Sequence, residues 1–194
     1  MRRFARALRH LPDRLLHPLR RRVALARLRR HPPQAVLFIC HGNICRSPYA
    51  AAAFAAVLPS AWRGRIRVAS AGFIGAGRPA PAEAIAVAGR LGLDLRGHRS
   101  AVVTPAAVHA VQLVVVMDTD QAREIVQRFG RRPDEVLVLG DLDPAAIDTR
   151  TIRDPVEQPV QVFESTYARI DRCVSQLVKV IAGGGHAPRV SGRA

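Results

Sequence analysis

The sequence predicts an α/β protein: a four-stranded parallel doubly wound sheet with helices on both faces. Three observations carry this. Four short apolar runs, at 36–39, 66–69, 111–117 and 136–139, read as strands covered by protein on both sides. Stretches with helix signals separate them, which calls for crossover connections. The first run ends in a tight loop that opens into a helix start, and open parallel sheets bind ligands at the carboxyl ends of their strands.

The elements follow in order. Residues 1–31 hold eleven Arg and one acid, Asp13. Phe4, Ala7, Leu8, Leu11, Leu15, Leu19 and Val23 recur there at roughly helical spacing. Pro12 and Pro18 are expected to break any single long helix. A basic amphipathic segment of this kind can lie on an anionic membrane surface. The competing expectation is an N-terminal extension over 1–33, partly helical or disordered and loosely docked. Pro32-Pro33 marks the boundary with a domain over 34–183. The run 36–39 is strand one, followed by a loop and a helix through 50–58. Residues 66–69 form a second strand, and 79–91 a helix stopped by Gly92. Residues 111–117 are a third strand. Asp118 reads as an N-cap with Gln121 three residues on, opening a helix to about Phe129. Residues 136–139 are the fourth strand. Apolar Val162, Phe163, Ile170, Val174, Leu177, Val178 and Ile181 mark a long helix over 161–181. Gly183-Gly184-Gly185 ends it, and 184–194 is expected to be a disordered tail.

Charge and cysteine usage narrow the function classes. The basic segment holds a net +10 of the chain's +15, so the remaining residues carry about +5. Nucleic-acid binding is not the expectation, because no aromatic platform or recognition motif accompanies the arginines. Three Cys do not make a disulfide framework. No run of 18 apolar residues exists, and the N-terminus lacks the apolar region of a secretory signal. A cytoplasmic, reducing location is expected.

The chemistry concentrates in Cys40-His41-Gly42-Asn43-Ile44-Cys45-Arg46-Ser47-Pro48. Gly42 and Asn43 tolerate the positive φ of a tight loop. Ser47-Pro48 signals a helix start. Successive backbone N–H groups of such a loop converge on one point, and the helix adds its positive end. The cup suits a tetrahedral dianion. Arg46 adds a planar fork of donors. Cys40 at the bottom of a positive cup is favoured as thiolate, and a thiolate beneath a phosphate is placed for in-line attack. Ser47 can donate to the sulfur and help it leave. Ester cleavage also needs an acid for the leaving oxygen. Asp118, Asp120, Asp141, Asp143, Asp148 and Asp154 compete, and spacing alone does not choose among them.

Cys40, Gly42, Asn43, Cys45, Arg46, Ser47 and Pro48 resemble the signature of the low-molecular-weight protein tyrosine phosphatase family, bacterial type. The resemblance extends over roughly 35–182. It implies a phosphomonoester hydrolase working through a phosphocysteine, without metal or cofactor. It chooses Asp154, in Asp154-Pro155 before the last helix, as general acid. It pairs Ser70, in Ser70-Ala71-Gly72, with Asn43 as a strut, and places His98 in the same supporting network. It implies a phosphorylated protein as partner, a tyrosine kinase among the candidates. Cys45 reads either as a thiol able to trap oxidised Cys40 or as packing; Cys173 reads as core.

The walls depart from the pattern. Val156 follows Asp154-Pro155 where an aromatic is common, and position 41 is His rather than aliphatic. His41, Tyr49, Phe73 and Val156, with Ile74, are the expected cleft wall. Three alternatives share the loop. An arsenate reductase would need two further mid-chain Cys, and none lies between Cys45 and Cys173. A protein arginine phosphatase resembles the loop but tends to carry Thr at the position of Ile44. A non-catalytic phosphoprotein-binding module would lack the nucleophile or the acid, whereas Cys40, Arg46 and an Asp-Pro acid are all retained.

Overall fold

The computed structural model describes residues 2–183, with side chains from Pro12 onward. Its sheet has the order β2-β1-β3-β4, all parallel. The strands are β1 (Ala35–Cys40), β2 (Arg67–Gly72), β3 (Leu113–Val116) and β4 (Val136–Val138). Chain order and spatial order part between β1 and β3, so the sheet's switch point lies beside Cys40. The helices are α1 (Arg2–Arg30), α2 (Arg46–Val57), α3 (Ala82–Arg90), α4 (Pro105–His109), α5 (Thr119–Phe129) and α6 (Val160–Gly183). The tail expected over 184–194 lies outside the described residues.

β1 shows why the runs lack polar alternation. Val36, Phe38 and Cys40 face one apolar cluster, built with α1, α2, α3 and α6. Leu37 and Ile39 face a second, built with α4 and α5. Each pleat therefore buries a side chain on each face, and all six β1 residues are buried. At the start of α5, Asp118 Oδ1 accepts from Gln121 N at 2.8 Å, as a cap should. Gly130 ends the helix at φ 65°. The short α4 escaped the sequence reading, although Thr104-Pro105 is a cap-and-N1 pair; Thr104 Oγ1 accepts from Ala107 N.

The N-terminal expectation needs correcting. α1 runs through Pro12 and Pro18 as one helix. Both prolines are exposed. Each removes a backbone hydrogen bond, and side-chain anchors to the domain offset the loss. Arg14 Nε donates to Asp148 at 2.7 Å, His17 Nε2 to the Asp143 carbonyl at 2.9 Å, and Arg21 Nη2 to Gln176 at 2.8 Å. Ala24 and Leu28 are buried in the cluster of α2 and α6. The second half of α1 is thus part of the core, and Pro32-Pro33 separates elements rather than units.

The anchor beneath α1 is ionic. Asp143, 1% exposed, takes Arg172 Nε and Nη2 at 3.0 Å each and Arg169 Nε at 3.1 Å. Burial pushes its carboxyl up, but the Arg172 hydrogen bonds, the Ala145 amide and both guanidinium charges outweigh burial and hold it below the usual range. A carboxylate depressed by folding adds stability above its unfolded value, about 3.9, and that stability is lost as pH falls through the folded value. Asp143→Asn should therefore cost about 1.5–3 kcal/mol at pH 7. In urea unfolding, the variant and the parent should converge on acidification. A second check concerns α1. Leu28→Ala should cost about 2–4 kcal/mol, whereas a freely moving arm would leave unfolding unchanged.

Candidate active site

The site begins where β1 stops. α2 opens directly at Arg46, at the start that Ser47-Pro48 signals, so the loop between Cys40 and Arg46 is closed at both ends by regular structure. Asn43 turns it, with φ 50°. Asparagine is one of the few side-chain-bearing residues that tolerates this region. Here the whole residue is used. Its Nδ2 donates to Ser47 Oγ at 2.8 Å and Ser70 Oγ at 2.9 Å. Its Oδ1 accepts from Ala101 N at 2.8 Å. Its backbone N–H donates to Cys40 Sγ at 3.2 Å, and its carbonyl accepts from His98 Nε2 at 2.6 Å. A carbonyl only accepts, so His98 carries its proton on Nε2. Ser47 Oγ stands 3.0 Å from Cys40 Sγ.

Three successive carbonyls of the loop are held from outside. His41 O accepts from Phe73 N at 2.8 Å and Ile74 N at 3.3 Å. Gly42 O accepts from Arg78 Nη2 at 2.8 Å, and Asn43 O from His98. In a planar trans peptide, C=O and N–H point opposite ways. Holding those carbonyls outward turns the N–H groups of Gly42, Asn43 and Ile44 to the concave side, above the Cys40 sulfur. The result is a nest of donors that suits an anion.

Arg78 is the member of this set that the sequence reading missed. Its guanidinium also donates to Ile74 O at 3.0 Å and Gly75 O at 3.2 Å. It therefore ties the Cys40 loop to the 73–78 loop. Gly75, at φ 65°, leaves space that this side chain fills. The available signal was Gly75-Ala76-Gly77-Arg78, two flexible glycines beside a cation. Gly72 is a second close approach: a Cβ there would meet Asn43 N at 2.7 Å and His41 O at 2.8 Å.

Arg46, 3% exposed, donates from Nη1 to Ile152 O at 3.1 Å and is paired through Nη2 with Asp154. Its Nε is buried without a partner among the described residues. Asp154 accepts from Val156 N at 3.3 Å on its other oxygen. Cys40, Arg46 and Asp154 are thus gathered at one point, although 108 residues separate the latter two. Of the competing acids, Asp141 pairs with Arg150, Asp143 with α6, and Asp148 with Arg14, all away from the loop. Asp118 and Asp120 share the cleft with Asp154.

The cleft has a volume of about 390 Å³, with His41, Phe73 and Thr151 in its walls and Asp118, Asp120 and Glu124 along the α5 side. Three expected wall residues are elsewhere. Tyr49 is fully buried: its ring stacks on Tyr167 of α6 at 3.7 Å between centroids, and its hydroxyl donates to Asp171. Because α2 starts at Arg46, position 49 points to α6 and not to the opening. Val156 packs against the core beside α6. Ile74 is exposed on the 73–78 loop, outside the cleft lining. Cys45 is buried, and burial, then the nearby Asp154 and Cys40, push its thiol well up, which keeps it neutral. Cys173 lies in the core, where burial pushes its thiol up to about 12.

A thiol at the end of β1, a nest of amides above it and an arginine-carboxylate pair at the rim define a cysteine-dependent phosphomonoesterase on a 2-1-3-4 parallel sheet. The chain belongs to the low molecular weight phosphotyrosine protein phosphatase family, whose description matches residues 35–185. It is 36% identical over 154 residues to a Ralstonia solanacearum protein described as "Probable low molecular weight protein-tyrosine-phosphatase EpsP", covering 78% of this chain and 99% of that one. A Geobacillus stearothermophilus protein-arginine-phosphatase is 28% identical over 148 residues, covering 76% of this chain and 95% of that one. Vibrio vulnificus Wzb in complex with benzylphosphonate superposes with a TM-score of 0.66 at 28% identity, over 75% of this chain and 97% of that one. The matched region leaves the whole of α1 outside it.

Two substitutions test the outward clamps. Gly72→Ala should abolish inhibition by inorganic phosphate along with turnover, because the new Cβ meets backbone that cannot move aside. Arg78→Met removes a charge-assisted hydrogen bond of about 1.5–3 kcal/mol. It should lower kcat/KM for an aryl phosphate by about tenfold or more, with the melting temperature nearly unchanged. Full activity in Arg78→Met would show that Gly42 O needs no clamp.

Proposed function

We propose that this chain is a protein-tyrosine phosphatase in which Cys40 attacks phosphorus and Asp154 serves the leaving oxygen. The observation that carries the reading is the meeting of Asp154 with Arg46 at the mouth of the Cys40 loop. In-line attack forms the S–P bond as the P–O bond breaks. Asp154 gives its proton to the departing phenolate, then takes one from the water that cleaves the phosphocysteine. Arg46 and the Gly42, Asn43 and Ile44 amides hold the equatorial oxygens through both steps. The bound phosphate replaces Asp154 as the partner of Arg46, and the freed carboxyl then faces the ester oxygen. Ser47 stabilises the sulfur as it leaves in the second step.

Tyrosine is favoured by an apolar Ile44 in the loop and by Phe73 in the cleft wall, which suits an aryl ring. A phosphorylated tyrosine kinase is the substrate class that the family resemblance supports, in a reducing cytoplasm and at an anionic membrane surface. A second reading has its own support. Asp118, Asp120 and Glu124 on the cleft wall could pair with a guanidinium, as phosphoarginine would require.

Turnover of phosphotyrosine, phosphoserine and phosphoarginine peptides separates these readings. Phosphotyrosine should be the best substrate. Cys40→Ser should end turnover and keep phosphate binding. Asp154→Asn should slow phosphotyrosine hydrolysis by about 10²–10⁴; an unchanged rate would move the acid role to Asp118 or Asp120. If phosphoarginine is preferred and Asp120→Asn with Glu124→Gln removes the preference, the arginine reading replaces ours.

A further inference from the structure

We propose that α1 is an interfacial helix that seats the phosphatase on an anionic lipid surface, through the apolar face it turns away from the domain. α1 has two apolar sides. His17, Ala24 and Leu28 are buried against the body of the protein. On the opposite side Leu15, Leu19 and Val23 recur every four residues, with Leu16 beside them, and all four are exposed: 69%, 60%, 60% and 44%. The periodicity visible in the sequence therefore marks the outward face. The side that docks on the domain is held by a histidine, an alanine, one leucine and the polar anchors of Arg14 and Arg21.

The charges fit the same geometry. Arg22 and Arg29, seven residues apart, run exposed along one edge of the outward face; on the other edge Arg20 is paired with Asp13 and Arg27 is half-buried. Arg22, Arg29 and Arg30 are exposed and form no ion pair with a described residue. Leucines at the centre with exposed guanidinium groups along one flank and at the helix end suit a helix lying in the plane of a membrane. There the leucines reach the acyl boundary and the arginines meet lipid phosphates. The apolar surface continues from Leu19 and Val23 into a groove of about 700 Å³ against α5, where Ala122 and Val126 line the far side. No helix among the described residues is long and apolar enough to cross a membrane, so the attachment is lateral and reversible.

Charge decides between this occupant and a second copy of the chain. Packing two such faces together would bring together the exposed Arg22, Arg29 and Arg30 of each copy, while Asp13, the acid on this helix, is already held by Arg20. An anionic surface satisfies all three. Each Arg near such a surface contributes roughly fivefold in partitioning, and the contribution weakens with salt.

The experiment uses the full chain and is independent of which phosphate ester is the substrate. Sedimentation with phosphatidylcholine vesicles, with and without phosphatidylglycerol, should show binding only to the anionic vesicles, reduced by rising salt. Leu15→Ser combined with Leu19→Ser and Val23→Ser alters only exposed positions. It should weaken binding at least tenfold while p-nitrophenyl phosphate hydrolysis and the melting temperature stay at the parent values. Arg22→Gln with Arg29→Gln should weaken binding and flatten its salt dependence. Absence of binding to anionic vesicles at low salt overturns the proposal. So does binding that the triple serine variant leaves intact, which would make the contact purely electrostatic. Conversion of a parent dimer to a monomer by the same variant would assign the face to a second copy.

Discussion

The left-handed turn at Asn43 is the constraint on which the site depends. A residue at φ 50° is held there only if its surroundings over-determine it. Each polar atom of Asn43 is engaged, with partners drawn from the loop, from β2 and from the 98–101 segment. Those partners come from three separated stretches of chain, so the turn reports that the sheet is correctly assembled. The Cys40 environment then follows. One peptide aims its N–H at the sulfur, and its neighbours, with carbonyls clamped by the Phe73 amide, Arg78 and His98, point the same way. The loop is a product of the whole β1-β2 edge rather than a local motif.

The chain's strong basicity has a division of labour. Within the domain, these arginines are matched to acids: Arg46 with Asp154, Arg150 with Asp141, Arg169 and Arg172 with the buried Asp143. Near the phosphate loop the cleft wall is acidic instead, with Asp118, Asp120 and Glu124 facing an opening that also holds His41. Such a wall opposes adventitious anions and leaves the amide nest and Arg46 as the one strong anion site. The excess positive charge is carried outside the cleft, along α1.

Residues whose role is set within a few positions were legible in the sequence. Cys40, Gly42, Asn43 and Arg46 are spaced by the loop they form, and Asp118 announces its own cap. Asp154 was not legible from physics, since six aspartates were chemically equal and only folding brings one of them to Arg46. The resemblance supplied that choice; in the fold Asp154 is the aspartate paired with Arg46. Arg78 escaped because it works on a carbonyl 36 positions away, and a lone arginine among thirty basic residues carries no signal. Tyr49 was misplaced because nearness to the loop in sequence does not say which face of α2 a residue takes, and position 49 turns to α6. In α1 the prolines misled, because their cost is local while the anchors that offset it come from β4's far end and α6.

The central claim is that three clamped carbonyls aim three consecutive amides at the substrate phosphate. An amide-resolved NMR titration of the Cys40→Ser variant with inorganic phosphate tests it directly. The Gly42, Asn43 and Ile44 amide protons should all move downfield together, as new hydrogen bonds to the anion form. A titration that perturbs Arg46 and leaves those three amides unmoved would contradict the account.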